Sequence, residues 1–553
     1  MNNSAARRAM LLLTAWMCMT ALAACNEGAR SGAGADKPSA PEPVTLNIML
    51  WGDKPRHFDD VVAEFERQTM DTLRLKLNVT FTPQADYINN LKLKLAAGGP
   101  VDIAFDAPWM NMSAFVAEGS YENLDPYFNN DRYPGLKQAF GSVYLDSNRF
   151  AGPDGSLHTY GVPLGQYWSD LNAVYYRKDL AAKYGLPEIG TYPELLTFFD
   201  RVLEEDKDLV PFVMKNDGSY SAIELIVGNN VFPDRKAVGI WELDLAAAVR
   251  ASVYIRDGRV KAVSLDGDPE DGLRDFPQPF NRISYASYVA LREWHDKGFI
   301  EKDPLSRKYA REWFTSGKSA AMIEGLANLQ LISSRLQADV PGSELGIFLV
   351  QQQVRDKVQP NSLLNSNARV WNFLCIPQAS AHKEAAVAFL DWLFASRDHH
   401  DLFEYGIPGV HWEPVGSDEY RLPDGVDPSD NYVFPGYLMT WNPKFIRLPA
   451  DIPDELADYF RYQADEKSYY KSPFAGFVFD QKPVKDELAN PAFTAIRNEA
   501  TAFELGIVPD PAAAYTKLLD SRSEDVKLQQ DIRTIKAEIT KQLQAYMDRR
   551  ARE

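Results

Sequence analysis

Cysteine is nearly absent from this chain, which has three in 553 residues. So few cysteines exclude a disulfide-rich framework and zinc sites with four cysteine ligands. Histidine is also sparse, with seven residues, and the His-Glu-x-x-His pattern of zinc helices does not occur. Basic residues number 59 against 77 acidic ones, so the formal net charge is −18. We therefore expect no broad basic surface for nucleic acid or for an anionic membrane.

The motifs of common enzyme classes are missing or incomplete. Gly317-Lys318-Ser319 imitates the end of a phosphate-binding loop, but Glu312 stands where that loop needs a glycine. No G-x-S-x-G nucleophile elbow occurs. The adjacent His399 and His400 follow a predicted helix and point to different faces, so we expect no metal site and no cofactor. A pair of glycosidase carboxylates stays possible, because so many acidic residues provide accidental pairs.

The N-terminus has the pattern of a bacterial lipoprotein signal. Arg7 and Arg8 precede an apolar run over residues 9–24, which is too short for a transmembrane helix. The next residue, Cys25, completes a Leu-Ala-Ala-Cys sequence that resembles the lipobox. We therefore expect a signal peptide over residues 1–24, lipid on Cys25, and a Gly/Ala/Ser/Pro-rich tether over residues 25–43. Plain secretion is the alternative.

The body of the chain is long enough for two or more domains, and its 45% apolar and 25% charged residues are those of a globular protein. Residues 44–50 and 75–81 alternate apolar and polar side chains, which predicts strands. Helical spacing follows each of them, and an apolar run then ends at Phe105. This order predicts βαβ units on a mainly parallel sheet, whose ligands bind beyond the carboxyl ends of the strands. The loops after Trp51 and Asp106 are therefore candidate site loops.

Four further helices have recognisable ends or faces. Thr191 and Glu194 have the spacing of a capping box, so we expect a helix to begin there. Patterns also predict helices over residues 284–297, 383–396 and 525–549. In the last of these, one apolar stripe is more consistent with core packing than with partner binding; it consists of Leu528, Ile532, Ile535, Ile539, Leu543 and Tyr546. The lone body cysteine, Cys375, lies in an apolar run and is expected to be buried.

Several segments, taken in order, carry a resemblance to one family. They are residues 46–65, 154–163, 175–180, 317–322, 367–378 and 383–393. Together with the lipobox they resemble the bacterial extracellular solute-binding proteins of family 1, the receptors of ABC sugar importers. Residues 405–413, 472–480 and 483–485 are similar to the LplA-like lipoprotein branch, which has an extra C-terminal domain of unassigned role.

The resemblance implies an α/β, two-lobed periplasmic-binding-protein fold (type II-like) with hinge crossovers and a helical C-terminal part. We expect residues 44–165 and 371–413 in lobe 1, and residues 166–370 and 414–553 in lobe 2, with the C-terminal domain at about 470–550. The resemblance also implies a non-enzymatic receptor that delivers solute to ABC permease subunits. We expect a monomer, lipid-anchored to the extracellular face of the cell membrane.

Sugar binding requires flat aromatic faces and planar polar side chains. Tryptophans at strand ends or in loops near the crossings are candidates: Trp51, Trp109, Trp168, Trp371 and Trp412, with Trp441 expected to pack. The polar candidates are Asp53, Asp106, Gln166, Asp170, Asn172, Glu324, Asn372 and Glu413. For each tryptophan, packing is the alternative, and Asp106 or Asn172 could instead cap a helix or turn. Trp294, Trp313 and Trp392 fall within helical patterns and are expected in the core.

We therefore expect the chain to capture a carbohydrate, in particular an oligosaccharide, for import. Two alternatives stay open at this point. One is a receptor of the same fold for peptides or other solutes. The other is a surface-attached glycoside hydrolase or lyase. The identity of the sugar does not follow from the sequence.

Overall fold

A computed structural model describes residues 42–165, 171–186, 188–215, 221–229, 234–246, 248–306, 310–363, 368–442 and 445–552. The chain divides into two units, residues 1–42 and residues 43–553, and the account below concerns the second. The expected signal peptide, Cys25 and the tether up to residue 41 lie outside the described residues. Across the described ranges, no helix has both the length and the apolarity that a membrane crossing requires.

Seventeen strands and twenty α-helices are described. The strands are β1 Val44–Trp51, β2 Leu75–Thr82, β3 Ile103–Asp106, β4 Phe150–Ala151, β5 Leu157–His158, β6 Val162–Leu164, β7 Asn172–Arg177, β8 Val210–Val213, β9 Ile240–Ala246, β10 Val249–Arg256, β11 Arg259–Leu265, β12 Ser319–Gly325, β13 Leu345–Leu349, β14 Asn372–Cys375, β15 Glu413–Val415, β16 Glu419–Arg421 and β17 Leu448–Pro449. The helices are α1 Phe58–Thr69, α2 Gln84–Ala97, α3 Met112–Ala117, α4 Asp125–Phe128, α5 Pro134–Ala139, α6 Ser142–Asp146, α7 Lys178–Lys183, α8 Tyr192–Glu205, α9 Ala222–Asn229, α10 Ala286–Lys297, α11 Ala310–Thr315, α12 Leu329–Asp339, α13 Gln352–Arg355, α14 Lys383–Ala395, α15 Arg397–Glu404, α16 Asp454–Ala464, α17 Lys485–Leu488, α18 Pro491–Glu504, α19 Pro511–Glu524 and α20 Val526–Arg550.

The first sheet has the strand order β2-β1-β3-β14-β6. Strands β2 and β3 run parallel to β1, as the alternating N-terminal pattern predicts, whereas β14 is antiparallel to both of its neighbours. Apolar side chains of β1, β3, α1 and α14 form one core around this sheet, with Phe65 and Phe389 in edge-to-face contact. Cys375 is buried in it, as expected. This sheet and its helices are the first lobe.

The second sheet has the strand order β13-β7-β12-β8 and is mostly antiparallel, since only β12 and β8 run parallel. The parallel pairing that the N-terminal pattern predicts does not extend to this sheet. Apolar side chains cover both faces, with α8 and α10 on one and α11, α12 and α16 on the other. The predicted capping box of Thr191 and Glu194 is present at the start of α8. This sheet and its helices are the second lobe.

A third core forms around an antiparallel sheet of three strands, β11-β10-β9. The turn between β10 and β11 has positive φ at both Asp257 and Gly258 (54° and 68°), which matches the right-handed twist of a hairpin. The apolar stripe of α20 packs on this sheet, so the predicted core role of the stripe is confirmed, with Met547 more deeply buried than Tyr546.

One segment lies with a different lobe than expected. Residues 432–439 were expected in lobe 2, yet their apolar side chains pack in the core of the first lobe. Phe434 stacks on Phe58 of α1 with ring centroids 6.0 Å apart, and Tyr437 contacts Trp51 at the end of β1. The boundary at residue 413 therefore does not separate the cores, because burial of these aromatic rings against the first sheet determines where the segment lies.

Candidate functional site

Several strands of the first sheet end at the same edge. Parallel pairing places Ile48 of β1 beside Ile103 of β3, so both strands finish together. Antiparallel pairing of Phe373 with Asp106 brings the start of β14 to this edge as well. Parts of the chain that are far apart in sequence thus meet at one edge, because carboxyl ends of parallel strands share one side of a sheet. They carry three of the predicted site residues, Trp51, Trp109 and Trp371.

Three tryptophans occupy this edge: Trp51, Trp109 and Trp371, which we call the aromatic edge. The ring of Trp51 is half-buried and lies 6.3 Å from that of Trp109, at nearly a right angle. Trp109 is 44% exposed and Trp371 is 58% exposed, which is unusual for such large apolar side chains. The indole N–H of Trp109 donates to Oδ1 of Asn372 at 3.2 Å, which orients that ring. The aromatic edge therefore offers flat apolar faces next to an amide.

The corresponding edge of the second sheet is polar. Pairing of Gly325 with Asn172 brings the end of β12 beside the start of β7. Asn172 donates to Oε2 of Glu224 on α9 at 2.8 Å. Glu324, one residue from the end of β12, is buried and accepts hydrogen bonds from Arg311 on α11.

The Arg311–Glu324 pair is the main electrostatic feature of this second edge. Nε and Nη2 of Arg311 both donate to Oε2 of Glu324, at 3.1 and 2.7 Å, while the backbone N–H of Gly325 and the amide of Asn328 donate to Oε1. Burial raises the pKa of the Glu324 carboxyl, but the charges of Arg311 and Lys215 and the hydrogen bonds to the carboxylate together hold this pKa below its ordinary value. The same carboxylate raises the pKa of Arg311 well above its ordinary value despite burial. Both groups are therefore charged.

Two polar contacts join the lobes at these edges. Asp53, just after β1, forms an ion pair with Arg335 on α12 at 3.1 Å, in which the Asp53 side chain is 77% exposed and that of Arg335 is 35% exposed. Nη1 of Arg311 donates to the Tyr437 hydroxyl at 3.4 Å, and the ring of Tyr437 lies 5.3 Å from Trp51. The aromatic edge and the polar edge thus lie on opposite sides of one interlobe cleft, which is the candidate site.

Asp106 was expected to face ligand, but the structure places it inside the first core, fully buried. The Tyr121 hydroxyl donates to Oδ2 at 2.6 Å, and the backbone N–H of Ala107 donates to Oδ1 at 2.7 Å. Burial raises the pKa of Asp106 to about 6, although these hydrogen bonds favour the charged form and oppose the shift. Asp106 therefore shapes the loop that carries Trp109 and does not itself line the cleft.

Trp412 and Glu413 were also expected at the site and lie elsewhere. Trp412 is buried, and its indole N–H donates to the carbonyl of Gly406 at 2.9 Å. Glu413 is on β15 and pairs with Arg421 of β16 at 2.8 Å. Both side chains are thus engaged in packing or pairing within residues 406–421.

A cavity of about 100 Å³ adjoins Trp412, between this segment and the start of α12. Trp441 lines it and packs edge-to-face on Tyr437, so the expectation that Trp441 packs is confirmed. The three tryptophans that were expected in the core from their helical patterns do pack in or against the hydrophobic cores of the lobes: Trp294, Trp313 and Trp392. Three further candidates, Gln166, Trp168 and Asp170, lie outside the described residues.

Sequence reasoning missed Arg311, Arg335 and Tyr437. The two arginines lie on amphipathic helices, where a charged residue is ordinarily solvated, so composition gives no reason to select them. Tyr437 lies in a segment without clear periodicity. The one available signal was Glu324 itself: an acidic residue in a buried strand needs a cationic partner, and a search for that partner could have led to Arg311.

Comparison with known proteins gives a consistent result. A family model described as bacterial extracellular solute-binding protein matches residues 52–398. A carbohydrate ABC transporter substrate-binding protein of Streptococcus pneumoniae is 22% identical over 510 residues, covering 90% of each chain.

Two solved structures extend the likeness to the whole fold. The N-glycan transport solute binding protein NgtS of Streptococcus pneumoniae, in complex with Man5GlcNAc, has a TM-score of 0.64 at 18% identity, covering 92% of this chain and 99% of its own. The alginate-binding protein AlgQ2, solved without calcium ion, has a TM-score of 0.56 at 17% identity, with coverage of 92% and 99%. These likenesses show the two-lobed α/β fold.

Proposed function

Because this chain belongs to the bacterial extracellular solute-binding protein family, we propose that it is the substrate-binding component of an ABC importer and captures an oligosaccharide in the interlobe cleft. The relatives with this fold include receptors named for N-glycan and for alginate, and the sequence relative is named for carbohydrate. The captured glycan would be passed to the permease subunits of the importer.

The observation that carries this proposal is the aromatic edge. Trp109 and Trp371 expose indole faces to the cleft side of the first sheet, where a protein ordinarily buries such groups. The C–H faces of a sugar ring stack on indole, and its hydroxyls pair with amides such as Asn372. A chain of several sugars can contact more than one of these rings at once, whereas a single small solute covers less of them.

The mechanism we propose is capture by lobe closure, without any covalent step. A ligand that contacts both edges at once binds the closed arrangement more tightly than the open one, and so shifts the population toward closure. The aromatic edge supplies contact area, and the polar edge supplies directed hydrogen bonds. The permeases would then distinguish the loaded, closed receptor from the empty one.

We also propose that Cys25 carries lipid and that the receptor is a monomer on the extracellular face of the cell membrane. The support for anchoring is the Leu-Ala-Ala-Cys sequence after a short apolar run. Fractionation of cells that express the wild type and Cys25→Ser tests this point: we expect the wild type in the membrane fraction. Equal release of both forms would contradict it.

Isothermal titration calorimetry of residues 26–553 tests the main proposal, with Man5GlcNAc and alginate oligosaccharides as probes. We expect saturable binding of at least one glycan and its recovery intact by chromatography. Cleaved glycan would favour the hydrolase or lyase alternative. A thermal shift with peptides and none with glycans would favour the peptide receptor.

A further inference from the structure

We propose that Arg311 is a ligand-binding residue that donates a hydrogen bond to a glycan hydroxyl, and that Glu324 positions its guanidinium for this contact. The inference rests on the proposed function, since it names a residue of the same cleft. Neither residue of the pair is at the aromatic edge; both belong to the second lobe.

The first step is that Glu324 leaves one part of the guanidinium available. Nε and Nη2 of Arg311 bind Oε2 of Glu324 at 3.1 and 2.7 Å, so two of the three nitrogens are held firmly. Among the described residues, Nη1 donates to the Tyr437 hydroxyl alone, at 3.4 Å, which is at the long limit for a hydrogen bond. A better acceptor could therefore displace Tyr437 from Nη1.

The second step is the direction in which Nη1 points. Tyr437 belongs to the first core, and its ring lies 5.3 Å from that of Trp51 in the aromatic edge. The Arg311 donor is thus directed toward the first lobe, at a tyrosine that contacts Trp51, whose ring lies beside the exposed indole of Trp109. A sugar ring stacked on those faces brings its hydroxyls to this side, where a charged donor gives a stronger hydrogen bond than a neutral one.

The third step is that the pair is held rigidly. Oε1 of Glu324 accepts from the backbone of Gly325 at 3.2 Å and from Asn328 at 3.3 Å, and its side chain is 5% exposed. The Arg311 side chain is 18% exposed, and its partner Glu324 is more deeply buried. A buried ion pair gives little net stability, because desolvation of both charges offsets their attraction. Such a rigid, preorganised donor is suited to recognition.

The test measures glycan binding by calorimetry with the full chain in detergent, using whichever of Man5GlcNAc and alginate oligosaccharides binds the wild type more tightly. We expect Arg311→Lys, which keeps the charge beside Glu324 but loses the guanidinium fork, to weaken binding at least tenfold. We expect the same loss for the double variant Arg311→Gln/Glu324→Gln, which buries no unpaired charge. The matched control, Arg177→Gln/Asp179→Asn, removes a partly buried ion pair of the second lobe (2.6 Å; side chains 10% and 23% exposed) at the end of β7 away from the cleft, and is expected to change affinity less than threefold.

A second measurement separates the positioning role of Glu324 from a merely structural one. Glu324→Gln should weaken binding in the wild type by at least threefold but have no further effect in the Arg311→Lys background, because it acts through the guanidinium. Thermal melting of every variant checks that each is folded. Tyr437→Phe should bind at least as tightly as the wild type, since it removes the competing acceptor.

The inference is overturned if folded Arg311→Lys and the double variant bind the glycan as tightly as the wild type. Equal losses from Glu324→Gln in both backgrounds would contradict the positioning role. If the wild type binds no glycan, the proposed function itself fails and this inference fails with it. That result is distinct, since it does not depend on any variant.

Discussion

The two edges that face the cleft differ in chemistry although they are built in the same way. Each is formed where neighbouring strands of a sheet begin or end together. The first presents exposed indole rings, and the buried Asp106 is turned into the core. The second presents the charged Arg311–Glu324 pair and the Asn172–Glu224 hydrogen bond.

Because of this difference, we expect the two lobes to contribute differently to ligand binding. Stacking on indole is tolerant of sequence and linkage in a glycan, because every pyranose has an apolar face. Hydrogen bonds from a fixed guanidinium depend on where the hydroxyls lie. We therefore expect the first lobe to contribute affinity and the second to contribute selectivity.

The largest expected effect comes from breaking the polar edge. Arg311→Ala leaves the buried Glu324 without its counter-charge, so we expect it to lower the free energy of unfolding by about 3–5 kcal/mol. Arg335→Ala removes the exposed partner of Asp53, and we expect a loss of at most about 1 kcal/mol. Urea denaturation of both variants measures these values. Equal losses would mean that burial does not distinguish the Arg311–Glu324 pair from the Asp53–Arg335 pair.

The next largest effect concerns the aromatic edge. We expect Trp109→Ala/Trp371→Ala to weaken glycan binding by about 100-fold, or about 2.7 kcal/mol, while the melting temperature changes little because both rings are exposed. Calorimetry with the wild type's glycan measures the loss. Tyr285→Ala removes another exposed aromatic ring, 40% exposed and on neither edge, and should leave affinity unchanged. If the double variant binds the glycan as tightly as the wild type, the aromatic edge is not part of the ligand-binding site.

A smaller, pH-dependent effect tests the buried acid of the first edge. Because the pKa of Asp106 is raised to about 6, the folded state keeps a proton that the unfolded chain releases from about pH 4 upward. Stability is therefore lost as pH rises through this window, by at most about 3 kcal/mol. Asp106→Asn has no such proton to lose, so the wild type should become less stable relative to it between pH 4 and pH 7. Parallel stability curves for the two proteins over this range would contradict the buried, proton-binding role.

Much of the fold was predictable because local pattern and tertiary structure agree. The N-terminal βαβ pattern, the capping box at Thr191 and the apolar stripe of α20 all appear as expected. The false phosphate loop also has a simple origin: Gly317 turns with φ +74° between α11 and β12. Helix ends and apolar periodicity are local, so a single sequence reveals them.

The hairpin of the third sheet could have been predicted from the sequence but was not. Asp257-Gly258 between alternating strands is a strong hairpin pattern, and both residues have the positive φ that such a turn requires. By contrast, nothing local predicts that residues 432–439 join the first core. Their position depends on rings far away in sequence, such as Phe58 and Trp51.

The sequence by itself determined the kinds of group available to the site and the strand ends that carry them, because alternation and helical spacing follow from backbone geometry. Only the tertiary structure decided which candidates meet. Burial took Asp106 and Trp412 into the core, whereas strand pairing brought Trp109 to Asn372, 263 residues away. Partnership between Arg311, Glu324 and Tyr437 is likewise set by packing, since desolvation and distance depend on the folded chain and not on spacing along it.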